Sequence, residues 1–274
     1  MLKRIVVGIL LVAISVFLIL TSKWAMALLV FPVGIIGGLE FYNLAILKQI
    51  KPSKINGIAS IVLIYIGALT LREGQMLELL TGLFLLTIIL FVFRKDYHIS
   101  SFLDASVTIF GYVYIGWFFA LIFHLRESSE IVTAYGIHIE KGAAMVLFLV
   151  LVNTFTDTGS YFIGKFFGKR KLCPHISPNK TVGGSIGGII SGIIIALILG
   201  PILRVTMWQA ALFGLIISIV AQLGDLWEST LKRDVHVKDS GDAIPGHGGI
   251  LDRFDSLFLS TPVAYYLLKF VIGF

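Results

Sequence analysis

The side chains best suited to chemistry in this chain are concentrated between Ser229 and Asp255, in the segment STLKRDVHVKDSGDAIPGHGGILDRFD. Lysines, arginines, aspartates and two histidines are interleaved here, whereas only 14% of the whole chain is charged. Long apolar runs stand on both sides of the segment. Carboxylates bind divalent metals, and basic side chains bind phosphates. We therefore predict a site for phosphates and a divalent metal at a membrane surface.

Three aspartates at the borders of this segment are the predicted metal ligands. Asp225 ends the preceding apolar run, and Asp252 and Asp255 are spaced to share one helix face. The loop between them can fold back and bring all three together. Three hard oxygen donors suit Mg²⁺, with a second metal or a monovalent cation left open. The alternatives are that Asp225 simply emerges into water and that Asp252 and Asp255 only stabilise a helix amino end.

Basic side chains in the same segment are predicted to complement a polyphosphate, and they are Lys232, Arg233 and Lys238. A loop on the positive side of a membrane would explain these charges alone, but not their interleaving with acidic residues such as Asp239. His247 is a candidate phosphate ligand or acid/base group, with a structural hydrogen bond as an equal alternative. The neighbouring Gly248 and Gly249 predict a tight backbone that faces a ligand.

A second polar cluster lies between Asp157 and Thr181. Asp157 falls within an apolar run, where a carboxylate is costly and therefore predicted to be functional or paired, with Lys165 or Lys180 as its partner. The turn Ser177-Pro-Asn-Lys180-Thr181 precedes a glycine-rich run, and such a helix start can bind an anion. A simple helix cap by Thr181 is the alternative. The glycines themselves favour close helix packing over ligand approach.

Composition determines the kind of protein that must position these residues. The mean hydropathy is +0.94 and 57% of the residues are hydrophobic, so we predict an all-α, polytopic integral membrane protein that forms a single domain over residues 1–274. No soluble domain remains to bind nucleic acid. Nine spans are predicted, at Ile5–Leu20, Trp24–Leu47, Ile55–Leu71, Met76–Phe93, Phe102–Phe123, Gly142–Ile163, Val182–Leu203, Trp208–Trp227 and Leu257–Phe274.

The basic residues predict how these spans are oriented. With nine spans, sixteen of the 22 lysines and arginines fall on the side of the amino terminus and the two long polar loops. Such a bias marks the cytoplasmic side. We therefore predict a protein of the cell inner (cytoplasmic) membrane, with its amino terminus and active site in the cytoplasm.

The first polar segment resembles the diagnostic motif of the phosphatidate cytidylyltransferase family. The matching residues are Ser229, Leu231, Lys232, Arg233, Lys238, Asp239, Gly241, Ile244, Pro245, His247, Gly248, Gly249, Ile250, Asp252, Arg253, Phe254 and Asp255. Similar support comes from Asp157-x-Gly159-x-Tyr161, Gly164-Lys165 and Ser177-Pro178-x-Lys180-Thr181, and weaker support from Glu40-Phe41-Tyr42. The chain departs from the family pattern at Gly183, where a polar residue is expected.

The resemblance implies a membrane enzyme that condenses CTP with phosphatidate, giving CDP-diacylglycerol and pyrophosphate in phospholipid biosynthesis. It assigns most of the catalytic residues to the half of the chain at residues 142–274, and it suggests a homodimer. Asp225, Asp252 and Asp255 would bind Mg²⁺. Phosphates would be steadied by Lys232, Arg233, Lys238 and Arg253, and the nucleotide or lipid phosphate would be held by Ser177, Lys180 and Thr181.

Two other functions fit the sequence less well. A CTP-dependent polyprenol or phytol kinase would share the apolar spans and the nucleotide, but it would release CDP rather than pyrophosphate. A transporter would use Asp157 and Asp225 as a coupling-ion site. Transporters often contain internal repeats and broken helices at mid-membrane. No repeat is visible in this sequence, and its charge lies near one membrane surface.

Overall fold

Helices dominate the part of the chain that this computed structural model describes, which comprises residues 2–94, 101–243 and 248–273. The α-helices are α1 (Leu2–Thr21), α2 (Lys23–Leu47), α3 (Lys54–Thr70), α4 (Glu73–Val92), α5 (Ser101–Gly111), α6 (Phe118–Leu125), α7 (Lys141–Phe167), α8 (Val182–Leu199), α9 (Met207–Asp234) and α10 (Leu251–Ile272). Two antiparallel hairpins connect some of them, β1 (Ile131–Ala134) with β2 (Ile137–Glu140) and β3 (Lys171–Cys173) with β4 (Ser177–Thr181).

Seven of the described helices are long and apolar enough to cross a membrane. One of them is continuous from Ser101 to Leu125, because a π-helical segment at Tyr112–Trp117 joins α5 to α6. The described apolar part of α1 and the whole of α3 are shorter. The prediction of an all-α polytopic membrane protein is thus confirmed, whereas the count of nine spans stays a prediction.

The helix ends form two groups, one at each end of the bundle. At one end, Arg126 follows α6, donates to the carbonyl of Ile19 near the end of α1 at 2.7 Å, and pairs with Glu140 beside the start of α7 at 2.6 Å. At the other end, Asp104 in the first turn of α5 lies 3.5 Å from Arg94, which follows α4. These contacts are those expected if successive helices cross the membrane in alternating directions.

The long helix formed by α5 and α6 is held by tyrosines from two neighbouring helices. A π-helical segment shifts the backbone hydrogen-bond pattern, so carbonyls around it are available to other donors. The hydroxyl of Tyr42 in α2 donates to the carbonyl of Thr108, and that of Tyr65 in α3 donates to Ile115, both at 2.9 Å. Both tyrosines are fully buried. The amino-terminal helices therefore pack into one unit, with α2 fixed against α5.

The glycines of α8 serve close packing between helices. A Cβ at Gly184 would lie 2.7 Å from the carbonyl oxygen of Ser160 in α7, and one at Gly188 would lie 2.7 Å from that of Thr156. The predicted packing role is thus confirmed. The opposite face of α8 exposes a row of isoleucines, Ile186, Ile190, Ile194 and Ile198. Only that face of α8 remains for contact with lipid or a second copy, and the homodimer stays a prediction.

Replacing Gly188 by valine is expected to destabilise the protein by about 1–3 kcal/mol, the usual effect of overpacking a tight interface. The added side chain would collide with the backbone of α7, which cannot move without displacing the cavity wall. Thermal unfolding in detergent measures the loss. The control is Gly82→Val in α4, since a Cβ there meets nothing within 4 Å. Equal melting temperatures for the two variants would contradict the packing role.

Candidate active site

A cavity of about 510 Å³ opens between α7, β4, α8 and α9, at the end of the bundle where α7 ends. Its size is typical of a site for a small organic ligand. Polar side chains from each of these elements face it, and they are Asp157, Ser160, Tyr161, Lys165, Ser177, Asn179, Lys180, Thr181, Ser185, Gln222 and Asp225. The predicted polar cluster at residues 157–181 therefore meets Asp225, which borders the other predicted cluster, in one cavity.

The central contact in this cavity is an ion pair between Lys180 and Asp225. Lys180 lies on β4, which pairs with β3, so the predicted turn at Ser177–Thr181 is wrong and the segment is a strand. Thr181 ends the strand and caps α8, because its hydroxyl accepts the N–H of Gly184 at 3.1 Å. Asp157 also interacts electrostatically with both Lys180 and Asp225. Of the two lysines predicted as partners of Asp157, Lys180 is thus the one that interacts with it. Asp157, Lys180 and Asp225 form the first charge cluster.

Asp255 adds a third carboxylate to this cluster from α10. The crossing of α9 and α10 is close at Gly224, where a Cβ would lie 2.7 Å from the carbonyl oxygen of Asp255. Asp255 is buried, accepts the N–H of Ser256 at 2.6 Å, and interacts with Asp225 and Asp157. Three carboxylates therefore share one lysine, Lys180. Such an excess of negative charge favours a bound cation.

A second charge cluster lies further along the interface between α9 and α10. The ammonium group of Lys232 lies 2.5 Å from Glu228, one turn earlier in α9, and 2.5 Å from Asp252. The Glu228 side chain is fully buried. The predicted end of this span at Trp227 is wrong, because α9 continues to Asp234. The helix persists because the charge of Lys232 is compensated by carboxylates of α9 and α10, so Asp225 lies inside the helix rather than at its end.

Asp252 is bound by the protein on both of its carboxylate oxygens. One oxygen contacts Lys232, and the other accepts the backbone N–H groups of Ser240 and Gly249 and lies near the Ser240 hydroxyl, each at 3.0 Å. Among the described residues, no three His, Cys, Asp or Glu side chains are arranged to hold a metal ion together. The described contacts thus place Asp252 with Lys232 and place Asp255 with Asp225. The predicted metal roles of all three aspartates stay predictions.

Comparison with known proteins identifies the family. The model of the cytidylyltransferase family matches residues 2–271. The chain belongs to this family. It is 33% identical to a phosphatidate cytidylyltransferase of Bacillus subtilis over 97% of each chain. It is 35% identical to a phosphatidate cytidylyltransferase of Staphylococcus aureus over 94% of this chain and 95% of that protein. It is also 41% identical to the uncharacterised protein YnbB of Escherichia coli, over 62% of this chain and 56% of that protein.

The remaining predicted residues of this cytidylyltransferase lie around the two clusters. Arg233 donates to the carbonyl of Ile176 at 3.2 Å and to that of Val237 at 2.9 Å, so it ties the end of α9 to the β3–β4 hairpin. Gly248 has a φ of 83°, which suits glycine. Three other predicted residues are exposed beside the clusters, namely Lys238, Asp239 and Arg253. The prediction for His247 lies outside the described residues.

Sequence reasoning missed several residues that the cytidylyltransferase fold brings to the site. Gln222 lies three residues before Asp225 on α9 and exchanges hydrogen bonds with Ser185, at 2.5 and 3.1 Å. Its spacing from Asp225 was the available signal, because residues three apart share a helix face. Ser240 also contacts a predicted site residue, but only the fold shows which of its neighbours it meets.

Proposed function

We propose that this chain condenses CTP with phosphatidate, giving CDP-diacylglycerol and pyrophosphate. The observation that carries the proposal is the polar cavity at one end of a bundle of apolar helices, where Lys180 pairs with Asp225 and interacts with Asp157 and with the buried Asp255. A nucleotide arrives from water and phosphatidate from the bilayer, so their common site must lie at such an end. Relatives named phosphatidate cytidylyltransferase that match most of the chain support the same reaction.

The proposed reaction joins two anions. A phosphate oxygen of phosphatidate attacks the α-phosphorus of CTP, the bond from this phosphorus to the oxygen bridging to the β-phosphate breaks, and pyrophosphate leaves with that oxygen. Positioning and neutralisation of charge are the main requirements. Lys180 would exchange its contact with Asp225 for a phosphate oxygen. Hydroxyls at Ser177 and Thr181 and the backbone N–H groups at the start of α8 would orient the phosphates.

A divalent cation fits the first charge cluster better than the second. Asp225, Asp255 and Asp157 carry more negative charge than Lys180 offsets, whereas the described contacts of Asp252 already occupy both of its oxygens. We propose that Asp225 and Asp255 hold Mg²⁺, with Asp157 near it and with waters and substrate phosphates as further ligands. The ion would neutralise charge that develops on the transferring group.

Exposed aromatic residues on α7 mark a route for the lipid. Tyr161 lines the cavity and is 62% exposed, and Phe166 beside Lys165 is 70% exposed. Aromatic side chains next to a lysine are typical of the boundary between lipid and water. We propose that the acyl chains of phosphatidate lie against this face while the phosphate enters the cavity. The cavity would open to the cytoplasm, as the distribution of basic residues predicts.

The deciding experiment determines separately which product receives the α-phosphorus of CTP and which receives the γ-phosphorus. Detergent-purified protein receives phosphatidate, Mg²⁺ and CTP labelled either at the α- or at the γ-phosphorus. The proposal requires the α-label in the lipid product and the γ-label in pyrophosphate, with neither product formed when phosphatidate is omitted. The γ-label in lipid together with free CDP would instead establish a lipid kinase. An Asp225→Asn variant serves as the inactive control.

Replacing Lys180 by methionine is expected to raise the KM for CTP by about ten- to a hundredfold, the usual effect of losing a hydrogen bond to a charged group. The variant removes the lysine that pairs with Asp225 and leaves the neighbouring carboxylates to repel the triphosphate. Steady-state rates over a range of CTP concentrations measure the change. Lys169→Met is the control, because that lysine is exposed and does not line the cavity. Equal KM values for the two variants would contradict the assignment.

A further inference from the structure

Glu40 is a buried carboxylate in the amino-terminal half of the chain, within α2. It is only 6% exposed. An ionised carboxylate in such a place is strongly unfavourable unless several donors bind it. All of its described hydrogen bonds come from the distant motif segment. The Ser240 hydroxyl lies 3.0 Å from it, the N–H of Ile250 donates at 3.0 Å, and the N–H of Leu251 donates at 2.8 Å.

Two of these donors belong to the start of α10. The first N–H groups of a helix have no partner within the helix, and no side chain caps this one from the N-cap residue Ile250. Glu40 supplies the missing acceptor from another helix. Its negative charge also suits the positive end of the α10 dipole. The α2 carboxylate therefore fixes where α10 begins, immediately before Asp252.

Two glycines of the motif make room for this carboxylate. A Cβ at Gly241 would lie 2.7 Å from Oε1 of Glu40, and one at Gly249 would lie 2.6 Å from Oε2. Neither glycine has a positive φ, so backbone conformation does not require glycine at these positions. The backbone thus approaches the Glu40 carboxylate group twice, at Gly241 and again at Gly249. Glu40 occupies the space that a side chain at Gly241 would need, whereas at Gly249 the Ser240 hydroxyl and Glu40 occupy it together.

The same segment also binds Asp252, so the two carboxylates share donors. The Ser240 hydroxyl lies 3.0 Å from both Glu40 and Asp252, and its single proton can be donated to only one of them at a time. Asp252 in turn contacts Lys232. A displacement of Glu40 would therefore move Ser240, Asp252 and Lys232 together.

We propose that Glu40 is a positioning residue, which holds the chain at residues 240–241 and 249–251 and thereby positions Asp252 and Lys232. The proposal rests on the proposed function for its effect on catalysis. It gives α2, far from the motif in sequence, a direct part in the geometry of the site. Glu40 itself need not touch either substrate.

The first test is the kinetics of Glu40→Gln. The amide would place an N–H₂ group opposite a backbone N–H of α10, so one of the two anchoring bonds is lost while the volume is kept. We expect kcat to fall about 10- to 100-fold, as a small misplacement of a site can produce, and the KM for CTP to change less than about threefold. Asp104→Asn is the matched control, because Asp104 is also fully buried and accepts a backbone N–H, that of Lys51, far from the motif. Unchanged kcat in Glu40→Gln would overturn the proposal.

A double-mutant cycle tests the contact itself. Gly241→Ala should lower kcat by a similar factor, because the three atoms nearest to its Cβ would all belong to Glu40. In a Glu40→Ala background the same substitution has space, so we expect no further loss. Losses that multiply in the double variant would show that Gly241 is needed for another reason and would overturn the proposal.

Limited proteolysis with trypsin separates this proposal from the proposed reaction. Lys238 is exposed just before Ser240, which contacts Glu40. Lys169 and Arg170 are exposed just before β3, in a different part of the fold. In Glu40→Gln, cleavage after Lys238 should become several-fold faster while cleavage after Lys169 and Arg170 keeps its rate. Equal rates at Lys238 in wild type and variant would overturn the anchoring role. This readout needs no turnover, so it stands even if the wild-type protein proves to catalyse another reaction.

Discussion

Asp255→Asn is expected to lower kcat by about 10²- to 10³-fold while leaving the metal-free protein at least as stable as the wild type. The loss is that of one group that stabilises charge in the transition state. The stability follows from the charges in the first cluster, because Asp255 interacts with Asp225 and Asp157, and Lys180 is the one cation that these described carboxylates are seen to share. Asparagine keeps the acceptor for the N–H of Ser256. It removes one of three mutually repelling charges.

Thermal unfolding with EDTA and with increasing Mg²⁺ measures both parts of this expectation. An ion that binds only the folded state raises stability with its concentration. The wild type should show that rise, and Asp255→Asn should not. Asp104→Asn, which removes a buried carboxylate paired with Arg94, should be less stable in EDTA yet keep its response to Mg²⁺. A normal response to Mg²⁺ in Asp255→Asn would contradict the proposed metal site.

The apolar runs predicted the helices well because hydropathy alone decides which segments can cross a membrane. Helix ends were predicted less well. α9 continues past Trp227 to Asp234, and α10 begins at Leu251 rather than Leu257. In both helices the extra turns are polar, and their charges are satisfied between the two helices, at Lys232 and Asp252 for example. Hydropathy cannot predict such turns, because their stability comes from tertiary contacts.

The sequence also could not predict which carboxylates lie close to one another. The spacing of Asp252 and Asp255 correctly placed them on neighbouring positions of one helix. Their described contacts nevertheless differ. Asp255 lies near Asp225, whereas Asp252 meets Lys232, which lies later in α9, one turn after Glu228. The role of Glu40 depends on a contact with Leu251 that spans 211 positions of sequence. Local patterns contain no information about such distant pairs.

Lys232→Met is expected to cause the largest loss of folded protein among these variants. Lys232 lies between Glu228, which is fully buried, and Asp252. Removing one partner of a buried ion pair lowers the free energy of unfolding by about 3–5 kcal/mol, because the remaining charge stays buried without compensation. Such a loss is a large part of the stability of a typical domain. Fluorescence-detected size-exclusion chromatography after heating should show a lower midpoint than for Lys238→Met, whose lysine is exposed.

A second substitution tells whether Lys232 also contacts substrate. In Lys232→Met/Glu228→Gln the buried charge of Glu228 is removed with its partner, so we expect the melting temperature to recover most of the loss. The contacts of Lys232 with Glu228 and Asp252 account for a positioning role, and we therefore expect activity to return to within about tenfold of the wild type. A stable but inactive double variant would show instead that the ammonium group binds a phosphate, as the motif alone predicts. Failure of the melting temperature to recover would mean that Asp252, not Glu228, carries the uncompensated charge, and Lys232→Met/Asp252→Asn should then be the stable pair.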